Sequence, residues 1–310
     1  MSISVIIPYY NESETILLTL QSIESQDHQP NEVLLIDSGS TDNTSDVINK
    51  WIKKNKMSIY KNIYSGKMSP SSSINRGIRV SKNKFIAYVD CGLEIPTNWL
   101  MSNYKLIEKG GHDIVSTVIY TVGENIIDQS FISQTYGYKN KTTCLPGSLI
   151  NKDVFDKTGY LLESVRAGYD IDFINKLERS NIKRAVNKEI YLKYFHFNYC
   201  QSYLSGFKKV YTYALSGWET QGDLKPIIYI FIFFIFSITT YIEYYYPLIL
   251  YLLLRGVIIP FYKSNYKKTM LIPHRIIFNC MSGIIIEVSR IFAYMNIFRM
   301  INKKIINNNG

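Results

Sequence analysis

The strongest constraint on this chain is an alternation. Apolar, β-rich runs at Ser4 to Pro8, Glu32 to Asp37, Ile59 to Ile63 and Phe85 to Asp90 are separated by stretches with helical spacing at Glu14 to Gln26, Asp46 to Lys54 and Ser72 to Ser81. The first helical stretch carries Ile16, Leu17, Leu20 and Ile23 on one face. Strand–helix–strand alternation demands a parallel sheet with helices packed on its faces. FIAYV reads as a strand buried on both sides. In such sheets ligands bind beyond the carboxyl ends of the strands, which here are Pro8 to Glu12, Asp37 to Asp42 and Asp90 to Glu94, all polar or acidic.

Charge divides the chain. Of a net +10 over 310 residues, positions 201–310 hold 12 Lys and Arg against 4 Asp and Glu, so residues 1–200 carry only +2. The basic part also contains the most apolar run, 29 residues between Lys225 and Arg255 with Glu243 as the only charge. About 20 helical residues cross a bilayer core. The run therefore fits one span, or two if the second continues through Arg255 to Tyr262. From Ile276 to Phe298 a further apolar stretch carries Glu287 and Arg290 one turn apart, placed to pair in an amphipathic helix. Lys208, Lys209, Lys225, Lys263, Lys267, Lys268, Arg275, Lys303 and Lys304 flank these segments, the pattern of loops facing anionic lipid. The other reading, a buried hairpin of a soluble core, has to accommodate helices without a polar face.

These features predict an α/β unit over 1–200, a basic juxtamembrane linker over 201–225 and a membrane-associated region over 226–310. That last region holds one or two spans in 226–262 and an amphipathic helix over 274–300. The opening SISVIIPYY has no basic flank and too short an apolar run for a signal peptide. The first 200 residues are therefore expected on the cytoplasmic face of a cell membrane. Cys91, Cys144, Cys200 and Cys280 are too scattered for a zinc or redox motif and read as reduced thiols. Because the positive charge lies beside apolar segments and the sheet is nearly neutral, no nucleic-acid partner is expected. Neither GxGxxG after the first strand nor GxxxxGK[ST] anywhere is present, so a dinucleotide or P-loop site is excluded.

Four segments in order, SVIIPYYNESETILLTLQSIESQ, NEVLLIDSGSTDNT, SINRGIRVSKNKFIAYVDCG and LPGSLINKDVFDKTGYLLESVRAGYDIDFINKL, resemble the family 2 glycosyltransferases over about residues 2 to 200. The resemblance implies a GT-A-type nucleotide-sugar-binding fold with a mostly parallel sheet flanked by helices, followed here by the C-terminal hydrophobic and amphipathic helices. It implies a donor site built from Pro8, Tyr10, Asn11, Glu12, Asp37, Ser38, Gly39, Ser40, Asn75, Arg76, Asp90, Cys91 and Gly92. Asp37 would take a base N–H, and Ser38 to Ser40 let the backbone approach the nucleotide. The same DSGSTD stretch also reads as an Asx-turn leading into a helix. The family's Asp-x-Asp motif holds a divalent cation, Mg2+ or Mn2+, on the donor diphosphate. Here it reads Asp90-Cys91-Gly92, without the second carboxylate. His196 stands where many members place a histidine near the metal, and otherwise reads as a packed core histidine.

Asp170 corresponds to the catalytic base of the family's Glu-Asp pair, with Tyr169 in place of the Glu and Asp172 as fallback; capping of its own helix is the other role open to Asp170. Pro146, Gly147, Ser148 and Tyr169 would shape the sugar and acceptor pocket. Gln201 is followed by Leu204 and Ser205, not by the Arg-Trp of processive members, which implies single addition. The implied activity is inverting transfer of one sugar from a nucleotide-diphosphate sugar to a hydroxyl of a membrane-linked glycan in cell-surface polysaccharide or glycoconjugate synthesis. Transfer onto a polyprenyl phosphate, and a catalytically degenerate nucleotide-binding membrane scaffold, are the alternatives.

Overall fold

The computed structural model describes residues 1–308 apart from 122, 136, 138, 141–144, 195–199, 222–224, 243 and 264–271. In chain order the elements are β1 (Ile3–Tyr9), α1 (Ile16–Glu24), β2 (Glu32–Asp37), α2 (Thr44–Asn55), β3 (Tyr60–Tyr64), α3 (Pro70–Val80), β4 (Phe85–Tyr88), β5 (Leu93–Glu94), α4 (Trp99–Gly110), β6 (Ile114–Thr121), α5 (Ile126–Gln134), β7 (Lys139–Asn140), β8 (Ser148–Asn151), α6 (Val154–Thr158), α7 (Tyr169–Arg179) and β9 (Arg184–Tyr194). They are followed by α8 (Tyr203–Gln221), α9 (Lys225–Tyr241), α10 (Tyr246–Leu253), a π-helical turn Leu254–Ile258, α11 (Ile259–Lys263) and α12 (Pro273–Asn308). Two compact units result, one of Met1–Thr121 and Asn140–His196, the other of Val122–Lys139 and Phe197–Gly310. α5 thus belongs with the C-terminal helices, although it lies within the first 200 residues.

The first unit is built on a sheet of order β3-β2-β1-β4-β8-β6-β9-β5, with β7 beside β6. β1 pairs in parallel with β2 and with β4, and β2 with β3. β8 begins at the carboxyl end of β4, where the Gly147 N–H donates to the Tyr88 carbonyl (2.8 Å), and so runs back antiparallel to both β4 and β6. β9 is parallel to β6 and β5 antiparallel to β9, which makes the sheet mixed.

Alternation along the strands produces two apolar layers. Ile3, Val5, Ile7, Val33, Leu35, Phe85 and Ala87 pack on one face with Leu20 and Ile23 of α1, Trp51 of α2 and Trp99 of α4. Ile6, Leu34, Ile36, Ile86 and Tyr88 pack on the other with Ile74 and Ile78 of α3, Phe155 of α6 and Phe173 and Leu177 of α7. Every residue of β2 and of β4 is buried. That is why these runs are continuously apolar rather than alternating. β1, with β2 on one side and β4 on the other, is the point where the strand order reverses, and in sheets of this kind ligands bind at the carboxyl ends beside such a point.

In the second unit the long apolar run is broken into α9 and the α10 to α11 segment. Tyr246–Lys263 and Pro273–Ile297 are long and apolar enough to cross a membrane, with mean hydropathies of 1.3 and 1.6 and only 17% and 33% of their apolar windows buried. Glu287 pairs with Arg290 one turn away (3.6 Å) and with Arg255, whose guanidinium also donates to Gln134 of α5 (3.2 Å). These charges are matched inside the unit, as buried ions must be.

Glu32, 5% exposed, ties the amino-terminal edge of the sheet together. Its Oε1 accepts from Ser4 Oγ (2.7 Å) and the Lys82 N–H (2.6 Å). Substitution Glu32→Ala leaves both donors without this acceptor and is expected to cost about 2 kcal/mol, read as a lower urea midpoint. An unchanged midpoint would show that the edge is not held this way.

Candidate active site

The turn after β1 and the loop after β2 are locked to each other. Asn11, at φ +55, accepts at Oδ1 from the Thr41 N–H (2.8 Å) and the Asp42 N–H (3.3 Å), and its own N–H donates to Ser40 Oγ (3.1 Å). The Glu12 N–H donates to Thr44 Oγ1 (2.8 Å). Asp37, buried at the end of β2, forms the Asx-turn through Oδ1, which accepts from the Gly39 N–H (3.1 Å) and the Ser40 N–H (2.8 Å). Its Oδ2 has no hydrogen-bond partner among the described residues, so turn and ligand roles are compatible. Gly39 has φ +88, and a Cβ there would stand 2.9 Å from the Lys67 backbone nitrogen. Only glycine lets this loop close against residues 66–67. Ser38 Oγ is buried against Ser73 Oγ (2.7 Å), whereas Tyr10 is half exposed beside the turn.

Asp90 follows β4 with a partly exposed edge. One carboxylate oxygen accepts from the Tyr88 hydroxyl and the other from the Tyr194 hydroxyl (2.9 Å). Burial of the carboxyl pushes it above the usual carboxylate range, the two tyrosines pull it back, and the Asp170 charge adds to the rise. Glu12 is raised too, by burial against the pull of the Thr15 hydroxyl, with the Asp90 and Asp42 charges adding to it. Cys91 is buried, and its Sγ points to the Pro8 carbonyl (3.7 Å). Gly92, at φ +81, donates its N–H to Thr19 Oγ1 (3.0 Å) and turns the chain toward β5. A left-handed position accounts for glycine where a second carboxylate was to be expected.

Asp170 lies in the first turn of α7, after Gly168 at φ +83. Burial raises its carboxyl, while the Ile171 and Asp170 amides hold it back. Its helix-end role therefore coexists with an unusually basic carboxylate. Asp172 is paired with Lys176 (2.8 Å) and is not poised in the same way. Tyr169 packs against the α3, α6 and α7 layer. Gly147, at φ +74, lies in the turn that leads into β8, where a Cβ would stand 2.9 Å from Leu192. The Ser148 hydroxyl is buried and turned to the Leu145 carbonyl (2.5 Å), and Pro146 is half-buried beside them.

Asn11, Glu12, the Asp37 to Ser40 loop and Asp90 thus stand at the carboxyl ends of β1, β2 and β4, with Asp170 near enough for its charge to act on Asp90. Asn75 is not among them: its amide donates to the Leu161 carbonyl (2.8 Å) and Glu163 Oε1 (2.7 Å) and accepts from the Leu161 N–H (3.0 Å). It pins the 161–163 loop to α3. Arg76 is half-buried on the same helix, and His196 lies outside the described residues. The sequence reading missed Tyr88 and Tyr194. Spacing by two from Asp90 on one strand face was the available signal for Tyr88; nothing in the sequence placed the end of β9 beside Asp90.

Among the described residues no group of three His, Cys, Asp or Glu side chains is placed to hold a metal ion. Asp90 offers one hard carboxylate with a partly exposed edge. Such a donor set fits a divalent cation that arrives with a diphosphate and takes most of its ligands from phosphate oxygens and water.

A family model described as Glycosyl transferase family 2 matches residues 4–166, more than half of the chain. The UDP-Glc:alpha-D-GlcNAc-diphosphoundecaprenol beta-1,3-glucosyltransferase WfaP of Escherichia coli is 35% identical over 88 residues, 28% of this chain and 34% of that protein. The chain spans between 22% and 40% of the length of three further curated relatives that it matches. Of solved structures, S. aureus TarS 1-349 in complex with UDP-GlcNAc superposes with a TM-score of 0.51 at 20% identity, covering 71% of this chain and 68% of that one. The mannosyltransferase PcManGT from Pyrobaculum calidifontis in complex with GDP-Man and Mn2+ superposes with a TM-score of 0.53 at 16% identity, covering 69% and 62%. At such identities these two likenesses are of fold. The GT-A-type sheet is the one expected from the motifs, and the chain belongs to glycosyl transferase family 2.

Proposed function

We propose that this protein moves one sugar from a nucleotide-diphosphate sugar to a hydroxyl of a lipid-linked or glycan acceptor at a cell membrane, with inversion. The observation that carries the reading is that the Asn11 turn, the Asp37 to Ser40 loop and Asp90 follow the carboxyl ends of the neighbouring strands β1, β2 and β4, with Asp170 near enough for its charge to add to the rise of the Asp90 carboxyl. In this reading the Asp37 to Ser40 loop holds the nucleotide, and Asp90 faces the diphosphate. Asp170 takes the proton of the acceptor hydroxyl as that oxygen attacks the anomeric carbon opposite the leaving diphosphate. Asp90 would hold a divalent cation that comes with the donor, and such an ion would supply charge neutralisation of the leaving diphosphate. Support for the ligand classes comes from the UDP-GlcNAc of the TarS complex, the GDP-Man and Mn2+ of the PcManGT complex, and the diphosphoundecaprenol acceptor in the name of WfaP. The two apolar helices support membrane association, and the catalytic unit is proposed to face the cytoplasm.

Detergent-purified protein supplied with undecaprenyl-diphosphate oligosaccharides and a panel of UDP- and GDP-sugars is expected to release nucleoside diphosphate. In Asp170→Asn turnover should fall by about 10^2-fold or more with nucleotide affinity retained. No release with any pair, or full turnover in the variant, would defeat this assignment. A raised base also fixes the pH dependence. Turnover should climb with pH through a point above the ordinary carboxylate range, since Asp170 acts only when ionised. The same shift penalises the fold progressively as pH rises from the ordinary carboxylate range to that point, and in full above it, because the unfolded chain ionises more readily. Asp170→Asn should therefore raise Tm at pH 8 and leave it unchanged near pH 3, as followed by scanning fluorimetry; an equal effect at both values would contradict the shift.

A further inference from the structure

Asp90 is the only carboxylate of its motif, because position 92 is a left-handed glycine. A single aspartate next to such a turn has two free side-chain torsions, and a lone flexible carboxylate is a poor partner for a cation shared with a diphosphate. Here those torsions are taken up by two phenols. Tyr88 is 3% exposed in β4, and its backbone carbonyl accepts from the Gly147 N–H (2.8 Å). Tyr194 closes β9, where it pairs with Leu93 of β5. β4 and β9 are not neighbours, since β8 and β6 lie between them in the sheet. Their hydroxyls nevertheless converge on one side chain, one per carboxylate oxygen.

The geometry points to Tyr88 and Tyr194 as positioning residues that hold the Asp90 carboxylate in one orientation for a divalent cation carried by the donor diphosphate. Each carboxylate oxygen has two lone pairs, so one tyrosine bond apiece leaves both oxygens with capacity for a further ligand. Phenylalanine would fill the same apolar volume at either position. The hydroxyls thus add a polar requirement to otherwise packed sites, and they meet it at Asp90. Outer partners of this kind orient a metal-binding carboxylate, and their removal typically costs 10–100-fold in metal affinity. The inference rests on the donor role proposed for Asp90.

The test uses the full-length protein in detergent, UDP and GDP as probes, and Mn2+ titrated at fixed nucleotide, with binding read by thermal shift and by the Mn2+ EPR signal. In the wild type, Mn2+ alone should bind negligibly and should tighten binding of the better nucleotide. Tyr194→Phe and Tyr88→Phe should each raise the half-saturating Mn2+ concentration by about tenfold while metal-free nucleotide binding stays the same. Should Tyr88→Phe, in the core, lower the melting point, Tyr194→Phe at the strand end decides. An unchanged Mn2+ half-saturation in the folded variants overturns the inference and leaves the donor site intact. So does nucleotide binding that Mn2+ does not strengthen in the wild type. If neither nucleotide binds the wild type with or without Mn2+, the donor reading itself fails, and this inference with it.

Discussion

β1 is the member on which the rest of the first unit depends. It is hydrogen-bonded to β2 on one side and β4 on the other, and its apolar residues are divided between both layers of the core. A strand enclosed in this way accepts a polar side chain inside the sheet only where it finds a partner, as Ser4 does in Glu32, and otherwise where it leaves the sheet. The turn after it carries Asn11 and Glu12, and its neighbours deliver Asp37, still in the β2 ladder, and Asp90, two residues past the end of β4, to the same edge. Placement of chemistry on rigid strand ends gives the short, directional contacts that a diphosphate and a reacting hydroxyl require.

Much of this was legible in the residues. The elements from β1 to β4 lie within two residues of the spans read from the sequence, because continuous Val and Ile runs and helical stripes leave few alternatives. The three carboxyl-end clusters follow from the same alternation. What escaped was long-range. β8 runs antiparallel because it starts beside the Tyr88 carbonyl, a contact of residues about sixty apart in the chain that no local pattern encodes. Asn75 sits in a motif read as donor-binding, yet its amide faces Leu161 and Glu163, 86 and 88 positions away. Tyr194 reaches Asp90 over 104 positions. Local pattern names the residue types at a site. Partner choice among them is set by tertiary packing.

Charge followed a similar course. The net +10 first raises the question of a polyanionic partner, and its distribution answers it: the basic residues accompany apolar helices. Within the second unit, Glu287 is shared by Arg255 and Arg290, so the ionic groups of the helices are satisfied by one another and the outer faces stay apolar. The proposed lipid-linked acceptor is amphiphilic, and under that proposal apolar outer faces would keep the enzyme at the surface that holds its substrate.

In the proposed direct displacement, Asp170 is the base across from a leaving group held at Asp90. Proton NMR of the reaction, followed from the first turnovers, reports the anomeric configuration of the transferred sugar through its H1–H2 coupling. Opposite configuration in donor and product is the result expected of a single displacement. Retained configuration in the first product formed would contradict it and would remove Asp170 from the role of base.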